Sequence, residues 1–244
     1  MPSAAMTGRL RRLRLAARQR VRQRPLLYKI VRVLKYGPYR GFTDETERKA
    51  LLRRAESESW RVLYLGSGGR RQPGMINLDV TAETGPDVVA DGFALPFADH
   101  TFDAIFCDYV IEHVGDPERF LAAASRVLKP GGYWYLEVPF LQPHHADADF
   151  QRWTRDGFAL ALRRAGLLPV HSGMHLGPGF GLAWMLRDFL AVLLSLGYAP
   201  LRKGLAWVLG FALSPLLLTD LLFLRLPGAD GMACGFYHVA RRPP

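Results

Sequence analysis

The stretch Val62-Leu63-Tyr64-Leu65-Gly66-Ser67-Gly68-Gly69 decides the fold. A short apolar run that stops at clustered glycines reads as a buried strand feeding a loop. Glycine lets the backbone of such a loop lie close to another group, because it has no Cβ. Working outward, residues 75–80, 87–91, 102–107 and 133–138 repeat the short apolar pattern. Between the fourth and fifth of these runs, Asp116-Pro117-Glu118 opens a helix with an N-cap acceptor, a first-turn proline and an acid near the positive end of the dipole. Phe120, Leu121, Ala124, Val127 and Leu128 give its buried face, and Lys129-Pro130-Gly131-Gly132 ends it. Thr154 caps another helix to about residue 165. Strands alternating with helices at these lengths predict a parallel α/β sheet with right-handed crossovers. A last strand-like run, 235–240, follows Pro227-Gly228. Upstream, Asp44 and Glu47 predict a helix to about residue 57, and Pro25 opens an earlier one that Gly37-Pro38 closes.

The glycine cluster fits neither common nucleotide fingerprint. G-x-G-x-x-G requires glycine at 71, where arginine stands, and the ribose acid should come about 20 residues on, after a helix. Here Asp79 comes 13 residues after Gly66, with a tight turn at Gln72-Pro73-Gly74 in place of a helix. A Walker loop is excluded because no G-K-[ST] follows.

Taken in order, VLYLGSGG (62–69), INLDV (76–80), VVADGFALPFADHTFDAIFCDYVIEHVGDPERFLAAASRVLKPGGYWYLEVP (88–139) and FQRWTRDGFALALRRAGL (150–167) resemble the class I S-adenosylmethionine-dependent methyltransferases. The resemblance implies a Rossmann-like α/β fold with a seven-stranded sheet and an antiparallel last strand. It also implies S-adenosylmethionine bound at the carboxyl ends of strands one to four. Carried over residue by residue, it assigns Gly66, Ser67 and Gly68 to the methionine part, Asp79 to the ribose hydroxyls and Asp91 to the adenine amine. Gly92 and Phe93 would flank the ring, and Asp108 and Tyr109 would lie near the transferable methyl. The usual acid within strand one is Tyr64 here, and the missing crossover helix leaves Arg70 or Arg71 to hold the methionine carboxylate.

Glu112-His113 is a frequent pair in this family, and some RNA 2′-O-methyltransferases extend it into a metal site. Here Tyr109 and Ala148 stand where those enzymes place a glutamate and a histidine, so no metal site is expected. His113, His144 and His145 are the candidate general bases, with a structural role or an exposed loop pair as the alternative. Two adjacent histidines in an extended loop cannot both point one way.

The 244 residues carry a net charge of +10, unevenly spread. Residues 1–40 hold twelve of the 32 Lys and Arg and no acid, leaving 20 against 22 acids in the rest, a net of about −2. This arm lacks the apolar stretch of a secretory signal. An organelle-targeting arm, a membrane-surface arm, a nucleic-acid arm and a solvated terminus all fit it. Cys107 and Cys234 form no metal or disulfide pattern, which suits a reducing, cytoplasmic compartment. Residues 183–226 are strongly apolar, with uncharged runs of 13 residues at 189–201 and 16 at 204–219. These fall short of the 18 or so that a span requires, so the segment reads as buried or interfacial helix.

The expected organisation is a basic arm with helices (1–58), the cofactor-binding core (59–175), an apolar helical insertion (176–230) and the final strand with its tail (231–244). Arm and insertion together point to a methyltransferase that is peripheral on the cytoplasmic face of an anionic membrane, with a lipid-linked or glycan acceptor. An RNA or quinone-like acceptor, or a non-catalytic cofactor-fold binding protein, is the alternative. Nucleic acid is the less favoured partner, since Asp108-Tyr109-Val110 is not the N-P-P-Y of exocyclic-amine methyltransferases.

Overall fold

A computed structural model describes residues 42–68 and 70–244. The expected helix at Pro25 and the whole basic arm lie outside the described residues. Seven strands form one sheet in the order β3-β2-β1-β4-β5-β7-β6. They are β1 (Val62–Leu65), β2 (Ile76–Asp79), β3 (Val88–Val89), β4 (Phe102–Asp108), β5 (Leu128–Pro139), β6 (Leu168–Leu176) and β7 (Gly235–Arg241). β1 to β5 pair in parallel, while β7 runs antiparallel between β5 and β6.

Alternation along the strands builds two cores, because successive side chains leave opposite faces. Leu63, Ile105, Trp134 and Leu136 face α2 (Pro117–Ser125) and α3 (Arg155–Arg164), meeting Phe120, Leu121, Phe158 and Leu162. Tyr64, Phe106 and Tyr135 face the other way, toward Leu51 and Ala55 of α1 (Thr46–Ser57). Both anticipated caps form: Asp116 accepts from the Arg119 N–H at 3.1 Å, and Thr154 accepts from the Gly157 N–H at 3.0 Å.

Two local expectations are corrected. α2 ends at Ser125, and Lys129-Pro130-Gly131-Gly132 belongs to β5 rather than to a helix stop. The pairing with β4 shifts register there, so Leu128 opposes Phe102 and Tyr133 opposes Ala104. β6 was not foreseen as a strand; it is a sheet edge that pairs with β7.

Beyond β6 come α4 (Pro178–Ser195), α5 (Ala199–Ala212), a 3-10 turn (Ser214–Thr219) and the single turn α6 (Asp220–Phe223). The α4 N-terminus is anchored to α6: the Asp220 carboxylate accepts from the Gly179 N–H (2.7 Å) and the Phe180 N–H (2.9 Å). By contacts, the chain divides at Leu186 and Pro215 rather than at 176 and 230. One unit holds 41–185 and 216–244, and the described part of the other is 186–215. That second unit exposes Phe189, Leu193, Leu194, Leu196, Tyr198 and Val208. α4 has 18 residues, a mean hydropathy of 1.2 and 28% of its length buried, so by length and composition it is long and apolar enough to cross a membrane. Counting uncharged runs had missed this, because Arg187 and Asp188 interrupt the helix without ending it.

Candidate functional site

The carboxyl ends of β1 to β4 surround a cavity of about 440 Å³. Gly66 and Gly68, after β1, have φ of +73° and +52°, and a Cβ on Gly66 would overlap Val110. Glycine is therefore needed at Gly66 twice over, for conformation and for space. Asp79 ends β2 and lines the cavity. Its carboxylate accepts from the N–H groups of Gly68 (2.6 Å) and Thr81 (3.0 Å), so the same side chain fixes the glycine turn. Past β3, Asp91, Gly92 and Phe93 form a second wall. Asp91 accepts from the Phe93 N–H at 2.9 Å, and Phe93 meets Phe120 edge-on at 5.6 Å between ring centres. A Cβ on Gly92 would overlap Phe120, so glycine keeps this wall open. Tyr109, Val110 and His113 to Gly115 line the cavity after β4.

Three assignments are corrected. Asp108 does not line the cavity. It accepts from Arg48 Nη1 at 2.7 and 2.8 Å and from the Tyr64 hydroxyl at 2.8 Å, on the α1 side of the sheet. Tyr64 thus ties down an acid on the adjacent strand instead of supplying one itself. Burial, then the negative charge of Asp108, raises the Tyr64 hydroxyl pKa, so Tyr64 remains the donor. Ser67 is also off the lining; it is 1% exposed and its hydroxyl has no partner among the described residues. Arg71 pairs with Asp87, which also accepts from the Asn77 backbone and side chain, so it holds the β2–β3 loop.

The histidines separate. His113 is the last residue of the short 3-10 turn Ile111–His113, and its Nδ1 meets the Ala148 carbonyl. The ring of His145 lies 5.3 Å from that of His113, and both His144 and His145 are exposed. Beneath the pair sits Glu112, 0% exposed, with both carboxylate oxygens lacking a hydrogen-bond partner among the described residues. Burial pushes its pKa up to about 7. Asp149 anchors the loop: Arg152 donates to it, and the His145 N–H donates to Oδ2 at 2.9 Å. The Arg152 hydrogen bonds hold the Asp149 carboxyl far below its usual range. Burial lowers the His145 pKa, leaving its ring a neutral base near pH 7. No local motif announced Arg48, whose partner Asp108 lies 60 positions away, or Asp149 and Arg152, which pair with each other within one loop.

Comparison with known proteins agrees with this architecture. A family model described as "Methyltransferase domain" matches residues 71–136. The demethylmenaquinone methyltransferase of Renibacterium salmoninarum is 32% identical over 115 residues, 34% of this chain and 48% of that protein. The ubiquinone/menaquinone biosynthesis C-methyltransferase UbiE of Klebsiella pneumoniae is 51% identical over 56 residues, 23% of this chain and 22% of that protein. The chain thus spans about half, or less, of the length of these two relatives. A chain from the complex between the Haloferax volcanii Trm112 methyltransferase activator and a methyltransferase superposes with a TM-score of 0.50 at 18% identity, covering 82% of this chain and 95% of that one. This last likeness concerns the fold alone.

Proposed function

We propose that this chain, which carries a class I S-adenosylmethionine-dependent methyltransferase domain, transfers a methyl group to an acceptor held at a membrane surface. The observation that carries the transfer is the crevice at the ends of β1 to β4, with Asp79 and Asp91 on its walls. A carboxylate is an acceptor-only group, matched to a ribose diol at Asp79 and to an amino group at Asp91. Phe93 supplies a flat apolar face for a base, and the bare backbone at Gly66 and Gly68 leaves room for a chain. These features fit S-adenosylmethionine, which when bound supplies a methyl on a sulfonium leaving group. The protein's task is alignment, which can supply about 7–11 kcal/mol of the barrier. His113 borders the cavity, and the ring of His145 stands edge-on beside it.

The membrane part of the reading is supported by the basic arm in the sequence and by the exposed apolar side chains of 186–215. Together they suit a peripheral protein of the cytoplasmic face acting on a lipid-linked or glycan acceptor. A quinone-like acceptor is the second reading, favoured by the likeness to a demethylmenaquinone methyltransferase and a ubiquinone/menaquinone biosynthesis C-methyltransferase.

The test is turnover of isotope-labelled S-adenosylmethionine on two fractions, lipid-linked saccharides and extracted quinones, with mass spectrometry of the product. A gain of one methylene in the saccharide fraction supports the first reading, and a gain in the quinone fraction the second. Tight cofactor binding without a methylated product in either fraction or in RNA would replace both with a non-catalytic binding protein.

A further inference from the structure

We propose that Glu112, His113 and His145 form a binding site for one divalent transition-metal ion, such as Zn²⁺, at the rim of the cavity. The expectation of no metal rested on the residues at 109 and 148. The fold instead brings in a histidine from three positions earlier. One ligand atom from each of Glu112, His113 and His145 lies within 4.8 Å of the other two, and Glu112 Oε1 is 3.8 Å from His113 Nε2. A tetrahedral ion with bonds of about 2.1 Å sets its ligand atoms about 3.4 Å apart, so small side-chain rotations close the site.

The surroundings are built for a cation in two further ways. Glu112 is fully buried, and neither carboxylate oxygen has a hydrogen-bond partner among the described residues. A native protein seldom leaves such a group unmatched, because burial without a partner costs more than the hydrogen bond would return. The second feature is the state of the imidazoles. The Nδ1 of His113 faces the Ala148 carbonyl. The Nδ1 of His145 faces the Asp149 carboxylate at 3.2 Å and the Pro143 carbonyl at 3.3 Å. Each acceptor holds the proton on Nδ1 and leaves the Nε2 lone pair for a ligand, the arrangement that backs metal-bound histidines. Arg152 Nη2 also comes within 3.5 Å of His145 Nδ1, but its charge is met by Asp149.

Two imidazoles and one carboxylate form a borderline donor set that suits Zn²⁺ and its neighbours and leaves at least one coordination position open. A second cluster among the described residues, Glu45, Glu137 and His175, has comparable spacing. There Arg48 already supplies the cation, 3.6 Å from Glu137 and 3.7 Å from Glu45. At Glu112, His113 and His145 the neighbouring cation, Arg152, makes its ion pair with Asp149 and reaches Glu112 only through its charge.

The test titrates the full-length, chelator-stripped protein with Co²⁺ alone, read by visible absorption. The expected result is one Co²⁺ per chain, with bands of an imidazole-bound ion that Zn²⁺ abolishes. His145→Ala should remove the stoichiometric step, whereas His144→Ala, its exposed neighbour, should keep it. Asp149→Asn should weaken binding by about 10–100-fold, as loss of a group that orients a metal-bound imidazole does. Glu112→Gln can disturb folding because Glu112 is buried, so the decision rests on the two loop histidines. Absence of saturable Co²⁺ binding, or equal binding by wild type and His145→Ala, overturns the proposal. Titration with S-adenosylhomocysteine, run in parallel without metal, monitors the cofactor site, so failure here is distinct from failure of the methyltransferase reading.

Discussion

Arg48 on α1 grips Asp108 at the end of β4, one guanidinium nitrogen standing 2.7 Å from Oδ1 and 2.8 Å from Oδ2. Glu137, on the adjacent β5, lies 3.6 Å from the same nitrogen. A single cation therefore serves two carboxylates whose side chains are 6% and 5% exposed. Burial, and next the charge of Asp108, raise the Glu137 pKa well above its usual value, against the opposing charge of Arg48. Arg48→Met leaves both acids buried without their cation, and should cost about 3–5 kcal/mol of stability. Urea unfolding followed by far-ultraviolet circular dichroism reads this as a lower midpoint. Arg48→Lys should recover part of it, since a point charge cannot reproduce the guanidinium fork.

This pair also shows where the sequence is legible. β1, β2 and β4 announced themselves through short, largely apolar runs ending on glycine or aspartate, and Gly66 and Asp79, at the first two of these ends, line the cavity. The family resemblance assigns Asp79 and Asp91 to the cofactor, and both line the cavity. Asp108 occupies an equivalent strand end, yet its partner lies 60 positions earlier, on a helix whose packing face no local rule fixes. The same holds for Glu112 and His145, which meet across the β5 crossover. β6 escaped notice because Ser172 interrupts the alternation of Leu168, Val170, Met174 and Leu176 and because Pro169 and Gly173 are poor strand residues, a composition that a sheet edge tolerates. Lys129-Pro130-Gly131-Gly132 misled in the opposite sense: the same residues that stop helices also accommodate the register shift opposite Phe102 and Ala104.

Asp79→Ala should weaken binding of S-adenosylhomocysteine by about 1.5–3 kcal/mol, the scale of hydrogen bonds to a charged group. Two effects add. The ribose loses its acceptor, and the Gly68 N–H loses the carboxylate that holds the glycine turn. Calorimetric titration measures the sum, and an unchanged dissociation constant would remove Asp79 from the site.

Deleting residues 1–24 removes eight of the basic residues and should abolish the salt-sensitive part of binding to anionic vesicles. Screening shortens the reach of surface charge to about 8 Å at physiological ionic strength, so this part should vanish in high salt for the full chain as well. Any binding through the apolar side chains of 186–215 should survive salt. Vesicle co-sedimentation at low and high salt separates the two. Full-length protein that stays in the supernatant at low salt would argue against a membrane role.

His238, on β7, is 0% exposed, and neither ring nitrogen has a partner among the described residues. Its ring packs edge-on against Phe158 at 5.0 Å. Burial, aided by the positive charge of Arg155, pushes its pKa from 6.5 down to about 3. The folded protein therefore refuses a proton that the unfolded chain accepts below pH 6.5. The stability tied to this residue is complete above that pH and drains away as the pH falls toward 3. At about 1.4 kcal/mol per unit, the loss between pH 7 and pH 5 is about 2 kcal/mol. His238→Leu removes the titrating group and should flatten that part of the acid limb. At pH 7 the same substitution should be neutral or stabilising, since an apolar side chain of similar size replaces a buried, unpartnered polar one. Unfolding midpoints of both proteins at pH 5, 6 and 7 decide it, and parallel pH profiles would show that His238 does not titrate differently on folding.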